Sequence, residues 1–101
     1  IENLEISSDQ SMLPSEVVII GAFPNPFNPS TIISYEVRET SNLNISIYNI
    51  SGQLVSTLHN GYHEGGHHEL VFDGASLSSG MYFVKISNQN TVQTQKILLM
   101  K

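Results

Sequence analysis

The chain has no cysteine and no tryptophan, only four lysines and arginines among 101 residues, and no apolar run longer than four residues. Without thiols there can be no disulfide, no thiolate nucleophile and no cysteine-held metal, and the redox compartment is left open. With a net charge of -5 and no cluster of cations, the chain would repel a phosphate backbone, which argues against nucleic-acid binding. The longest apolar stretches, residues 17–20 and 97–100, fall far short of the roughly 20 residues a membrane-spanning helix needs. There is no Gly-x-Ser-x-Gly elbow and no His-Glu-x-x-His helix, and the carboxylates are scattered, so no catalytic constellation stands out.

What is present reads as one folded β domain. Hydrophobic residues make up 40% and charged ones 13%, a balance that favours a packed core over disorder. Residues 1–15 are polar and acidic, with Glu2, Glu5 and Asp9 unaccompanied by any cation, and read as a flexible linker ahead of a domain at 16–101. The chain begins at Ile1 with neither an initiator Met nor a signal peptide, and so reads as a piece of a longer polypeptide. Runs rich in Ile, Val, Leu, Tyr and Phe recur at 17–22, 31–37, 43–49, 53–58, 67–72, 81–87 and 91–100, each bounded by turn formers. This spacing predicts an all-β, immunoglobulin-like antiparallel β-sandwich of about seven strands, with no substantial helix.

Alternation selects the core: Ile33, Tyr35 and Val37 on one face, then Leu43, Ile45 and Ile47, then Tyr82, Val84 and Ile86. The closing run differs, because Leu98 points one way and Ile97 and Leu99 the other, leaving its end apolar on both faces. Ser51-Gly52 fits a hairpin turn, Asn60-Gly61 and Gly65-Gly66 are expected to bracket a longer loop, and residues 88–90 to close the last hairpin.

Three segments carry further information. Phe23-Pro24-Asn25-Pro26-Phe27-Asn28-Pro29 is a stiff corner, since each proline fixes φ and extends the residue before it; Phe23 and Phe27 are expected to pin it to the sandwich. Gly80-Met81-Tyr82 fits a tyrosine corner, in which the phenol bonds back to upstream backbone. His63, His67 and His68 lie close together, with His59 and two carboxylates nearby, but adjacent strand residues point to opposite faces, so they are weak metal candidates and the segment reads as a polar hairpin loop. Asn44-Ile45-Ser46 and Asn49-Ile50-Ser51 match the glycosylation pattern, too short a match to carry weight.

In order and spacing, Leu13-Pro14, then Phe23-Pro-Asn-Pro-Phe-Asn-Pro-Ser-Thr-Ile-Ile-Ser-Tyr35, Ile47-Tyr-Asn-Ile-Ser-Gly-Gln-Leu-Val55, Phe72-Asp-Gly-Ala-Ser-Leu-Ser-Ser-Gly-Met-Tyr-Phe83 and Lys96-Ile-Leu-Leu-Met-Lys101 stand out. On these strings the chain resembles the type A C-terminal sorting domain of the type IX (Por) secretion system of Bacteroidetes-like bacteria. The resemblance implies a non-catalytic, cofactor-free signal, read as a monomer, that ends a larger exported cargo. It also implies two partners: an outer-membrane translocon that receives the domain, and a sortase-like peptidase that removes it at the linker and leaves the cargo at the cell surface or outside. Gly52, Gly80, Tyr82, Lys96, Ile97, Leu98, Leu99 and Lys101 are, by the same resemblance, the positions shown to the machinery. Gly74 departs from the family's usual Asp-Ala-Ser by one inserted residue. An immunoglobulin-like accessory module, carbohydrate-binding or of flagellar hook-capping type, and a plain spacer are the alternatives. Two roles are open for the apolar end of the closing strand: it offers a bare sheet edge for strand addition, or Ile97 and Leu99 pack under the linker or a loop.

Overall fold

A computed structural model describes residues 17–89 and 91–101; the acidic segment read as a linker, and Asn90, lie outside them. The chain forms seven strands: β1 (Val17–Phe23), β2 (Ser30–Val37), β3 (Ser41–Asn49), β4 (Leu54–His63), β5 (Gly66–Asp73), β6 (Gly80–Ser87) and β7 (Val92–Leu99). β-branched and aromatic residues at every second position make them: in β2, Thr31, Ile33, Tyr35 and Val37 are buried while Ile32 and Glu36 face outward.

Two antiparallel sheets result, β1-β2-β5 and β4-β3-β6-β7. Their inner faces close on one core that includes Ile33, Tyr35, Ile45, Ile47, Val84 and Ile86, as the alternation predicts. The result is an immunoglobulin-like sandwich in which the fourth strand lies beside β3 at the edge of the second sheet, not beside β5 in the first. Hairpins join β1 to β2, β3 to β4 and β6 to β7, while the other three connections change sheet.

Two expectations about the middle of the chain are corrected. Asn60 and Gly61 lie inside β4, paired with Asn44 and Leu43, and are not a loop. An edge strand exposes much of its length, so polar residues such as His59, Asn60 and His63 continue it and no apolar period marks the continuation. Residues 64 and 65 do not form a hairpin either, since β4 and β5 belong to different sheets. Instead they cross between sheets beside the β2–β3 connection, with the Gly65 amide donating to Thr40 Oγ1 at 3.1 Å.

The registers define two ends. Val17, Val37, His63, Gly66 and Ser87 lie at one, which we call the histidine end. Phe23, Ser30, Asn49, Leu54, Asp73 and Leu99 lie at the other, the corner end.

Candidate functional site

At the corner end, residues 24–29 fold over the end of β7. Phe27 is 2% exposed and packs tilted against Phe72, with ring centroids 5.9 Å apart, while Thr31 Oγ1 donates to the Pro24 carbonyl at 2.7 Å. Phe23, expected to be a second anchor, is 81% exposed. It pairs with Ile32 on the outer face of the first sheet, where strand parity puts it, so a single aromatic pins the corner.

The corner also occupies the edge of the closing strand. Phe27 N donates to Leu98 O at 2.9 Å, Met100 N to Phe27 O at 3.0 Å, Leu98 N to Asn25 Oδ1 at 3.0 Å, and Asn25 Nδ2 to Lys96 O at 3.1 Å. The outward backbone groups that strand addition would use from the Lys96 carbonyl to the Met100 amide are therefore engaged within the chain, and the expectation of a bare edge there is corrected.

All the positions expected to be shown to the machinery gather at this end, but in different roles. Ile97 and Leu99 are fully buried in the core and Tyr82 is 7% exposed, so these three hold the strands in place. Tyr82 Oη donates to the Ser78 carbonyl at 2.8 Å, the tyrosine corner its spacing predicts. Gly52 has φ +83°, a left-handed conformation that favours glycine, in a turn closed by its amide on Asn49 O at 2.9 Å. Lys96 is exposed, Leu98 is half-buried on the outer face, and Lys101 Nζ donates to the Ala75 carbonyl at 2.6 Å.

Around Lys96 and Leu98 the outer face of the second sheet is apolar and cationic. Leu54, Tyr48, Phe83 and Lys96 form one row across its four strands, Met81 and Leu98 pair beside it, and Lys85 Nζ lies 5.6 Å from the Tyr48 ring centroid. Sequence reasoning gave Phe83 no role, although its alternation with buried Tyr82 and Val84 marks it as outward beside Tyr48 and Met81.

Gly74 is no slack insertion. Its amide donates to Pro29 O at 2.8 Å, and a Cβ there would lie 3.1 Å from Leu99 Cδ2 and 3.4 Å from Phe27 Cε2. A side chain at this position would press on Leu99 and Phe27, which would have to give by a few tenths of an ångström for the loop after β5 to seat against the corner.

At the histidine end the rings of His59, His63 and His68 meet, with centroids 4.8 Å (His59–His63) and 4.3 Å (His63–His68) apart, and His67 points away toward Glu69. A carbonyl only accepts, so His63 Nδ1 donates to Glu64 O at 2.9 Å, and neutral His63 then accepts at Nε2 from Tyr35 Oη at 2.6 Å. His68 Nε2 donates to the same carbonyl at 3.0 Å, and His59 Nε2 to Tyr62 O at 3.0 Å. These bonds leave too few ring nitrogens for a tridentate site, and among the described residues no three His, Asp or Glu side chains converge for a metal ion. Burial of Tyr35 raises its phenol above the usual tyrosine range.

A family profile described as "Secretion system C-terminal sorting domain" matches residues 21–100. No curated protein matches the sequence significantly. Among solved structures, dimeric latent PorU from Porphyromonas gingivalis is similar at 20% identity and a TM-score of 0.66, over 89% of this chain and 10% of that one. PorZ, an essential bacterial surface component of the type-IX secretion system of the same organism, is similar at 18% identity and a TM-score of 0.55, over 82% of this chain and 11% of that one. The chain thus spans about a tenth of each protein, and at these identities the likeness is one of fold.

Proposed function

The chain belongs to the secretion system C-terminal sorting domains, and from that membership we propose that it is a non-catalytic address label of the type IX route, carried by an exported cargo joined ahead of Val17. An outer-membrane translocon receives the domain at the corner end, and a sortase-like peptidase then cuts it from the cargo ahead of the sandwich. The cargo finishes at the outer membrane, the cell surface or outside the cell.

One observation carries this reading: Gly52, Gly80, Lys96, Leu98 and Lys101 lie at the end of the sandwich opposite Val17, beside the apolar and cationic face of Tyr48, Met81 and Phe83. A surface that combines aromatic rings, methionine and lysine suits a protein partner with an apolar centre and an acidic rim. Recognition through this side-chain face replaces strand addition at the apolar end of β7, because Asn25 and Phe27 already take up the edge from the Lys96 carbonyl to the Met100 amide.

The test is to fuse the full chain behind a periplasmic reporter in a bacterium that has the type IX machinery and to score surface delivery. Removing residues 96–101 is a poor probe, since it deletes Ile97 and Leu99 from the core. The triple variant Met81→Asp, Phe83→Ser, Lys96→Glu alters the outer face instead, and its folding is checked by circular dichroism. Loss of delivery with the fold intact supports the reading, and unchanged delivery rejects it.

A further inference from the structure

The outer face of the second sheet changes character along its length. Toward the corner end it carries Tyr48, Phe83 and Leu98; toward the histidine end it opens into a shallow groove of about 350 Å³ whose polar side chains are Asn42, Asn44, Asn60, Ser87, Asn88 and Gln89, with Leu43 and Gly61 between them and more of the exposed lining apolar than polar. Each of the polar side chains is a carboxamide or a hydroxyl, and no charged residue lines the groove. The registers make the lining continuous: Asn60, Asn44 and Ser87 form one row across β4, β3 and β6, and Asn42 faces Tyr62 in the next.

Part of the lining is already braced. Asn44 Nδ2 donates to Asn60 Oδ1 at 3.4 Å, Ser46 Oγ donates to Asn44 Oδ1 at 2.6 Å, and Asn88 Oδ1 accepts from the Thr91 amide at 2.8 Å. The carboxamides of Asn42 and Gln89 make no side-chain hydrogen bond among the described residues. Tyr62, on the same face of β4 as Asn60 and 70% exposed, stands beside the groove with its ring open to solvent.

We propose that this groove binds a neutral oligosaccharide. Sugar hydroxyls donate and accept at once, and a carboxamide, which does both from adjacent atoms, is the side chain that matches a pair of neighbouring hydroxyls. An exposed tyrosine supplies the flat apolar surface on which the C–H face of a pyranose ring stacks. The other ligand classes fit less well: an anion finds no cation in the lining, and a metal ion finds no carboxylate or imidazole. The volume lies at the lower end of small-ligand sites, and the groove is open, so it suits a short stretch of a longer glycan and weak affinity. This activity is separate from recognition at the corner end and does not depend on it.

The experiment is titration of the full chain with maltohexaose, chitohexaose and mannohexaose, followed by ¹H–¹⁵N correlation spectra, in which Asn and Gln side-chain amides appear directly. At least one probe is expected to shift the amides of Asn42, Asn44, Asn60 and Gln89 with a Kd of about 1 mM. Tyr62→Ala and Asn42→Ala, both at exposed positions, are each expected to weaken binding about tenfold, while Val71→Ala, exposed on the outer face of the other sheet, leaves it unchanged. Three outcomes overturn the proposal: no shift with any probe, binding that survives the Tyr62→Ala/Asn42→Ala double variant, or tighter binding of a heparin hexasaccharide than of every neutral probe. The spectra also report whether each variant is folded.

Discussion

At the corner end, residues 24–29 are tied to the closing strand by main-chain hydrogen bonds, Phe27 N to Leu98 O and Met100 N to Phe27 O, over a buried phenylalanine. At the histidine end the two sheets meet through side chains: Tyr35 of β2, His63 of β4 and His68 of β5, with the Glu64 carbonyl between the two imidazoles. Main-chain bonds over an apolar core survive most changes of side chain and of pH. A phenol–imidazole contact depends on both partners being present in the right protonation state. The same sandwich thus has one end set by packing and one by polar chemistry. The second is also the less complete, since Ser41 Oγ there is buried without a hydrogen-bond partner among the described residues.

The comparison breaks most readily at Phe27. Phe27→Ala empties the contact with Phe72 and uncovers Leu99, and is expected to cost about 3–5 kcal/mol in urea denaturation. A cost under about 1 kcal/mol would mean that the corner is an appendage rather than part of the core. At the other end, His63→Ala leaves Tyr35 Oη, in a residue only 1% exposed, without its partner, at about 1–3 kcal/mol. His67→Ala, on the outward face, serves as the control, with a change inside about 0.5 kcal/mol.

The smallest effect sharpens the comparison through pH. Burial raises the Tyr35 phenol above its unfolded value of about 10, so the folded state favours the neutral form. That contribution is full below about pH 10 and is lost as pH rises through the folded value. Melting temperatures followed into the alkaline range should fall for the parent chain and fall less for Tyr35→Phe. Equal slopes would show that Tyr35 does not set the alkaline limit.

Much of this fold can be read from residue alternation. Ile33, Tyr35 and Val37, or Tyr82, Val84 and Ile86, sit where period two puts them, because strands with one face on a core have little choice of register. The tyrosine corner was legible for a similar reason, as Gly80 and Tyr82 fix a local geometry that needs no distant partner. The split between Phe23 and Phe27 was not legible. Three prolines interrupt the period between them, and which ring turns inward depends on where Phe72 and Leu99 lie, far along the chain. Nor could the sequence tell that Asn25, a turn former on its face, would spend both ends of its amide on β7, or that His59, His63 and His68 would be gathered by a change of sheet. Of the candidate site, the burial of Tyr82 and the opposition of Leu98 to Ile97 and Leu99 were visible in the alternation, whereas which side of the closing strand meets the core, and that Phe83 joins the outer face, were not.

The strands run the length of the sandwich, so with roughly 3.3 Å per residue a seven-residue β1 sets Val17 about 20 Å from the corner end. Such a body works as a handle. In the proposed function a large assembly clasps one extremity while whatever precedes Val17 trails from the other, clear of the grip and within reach of the peptidase.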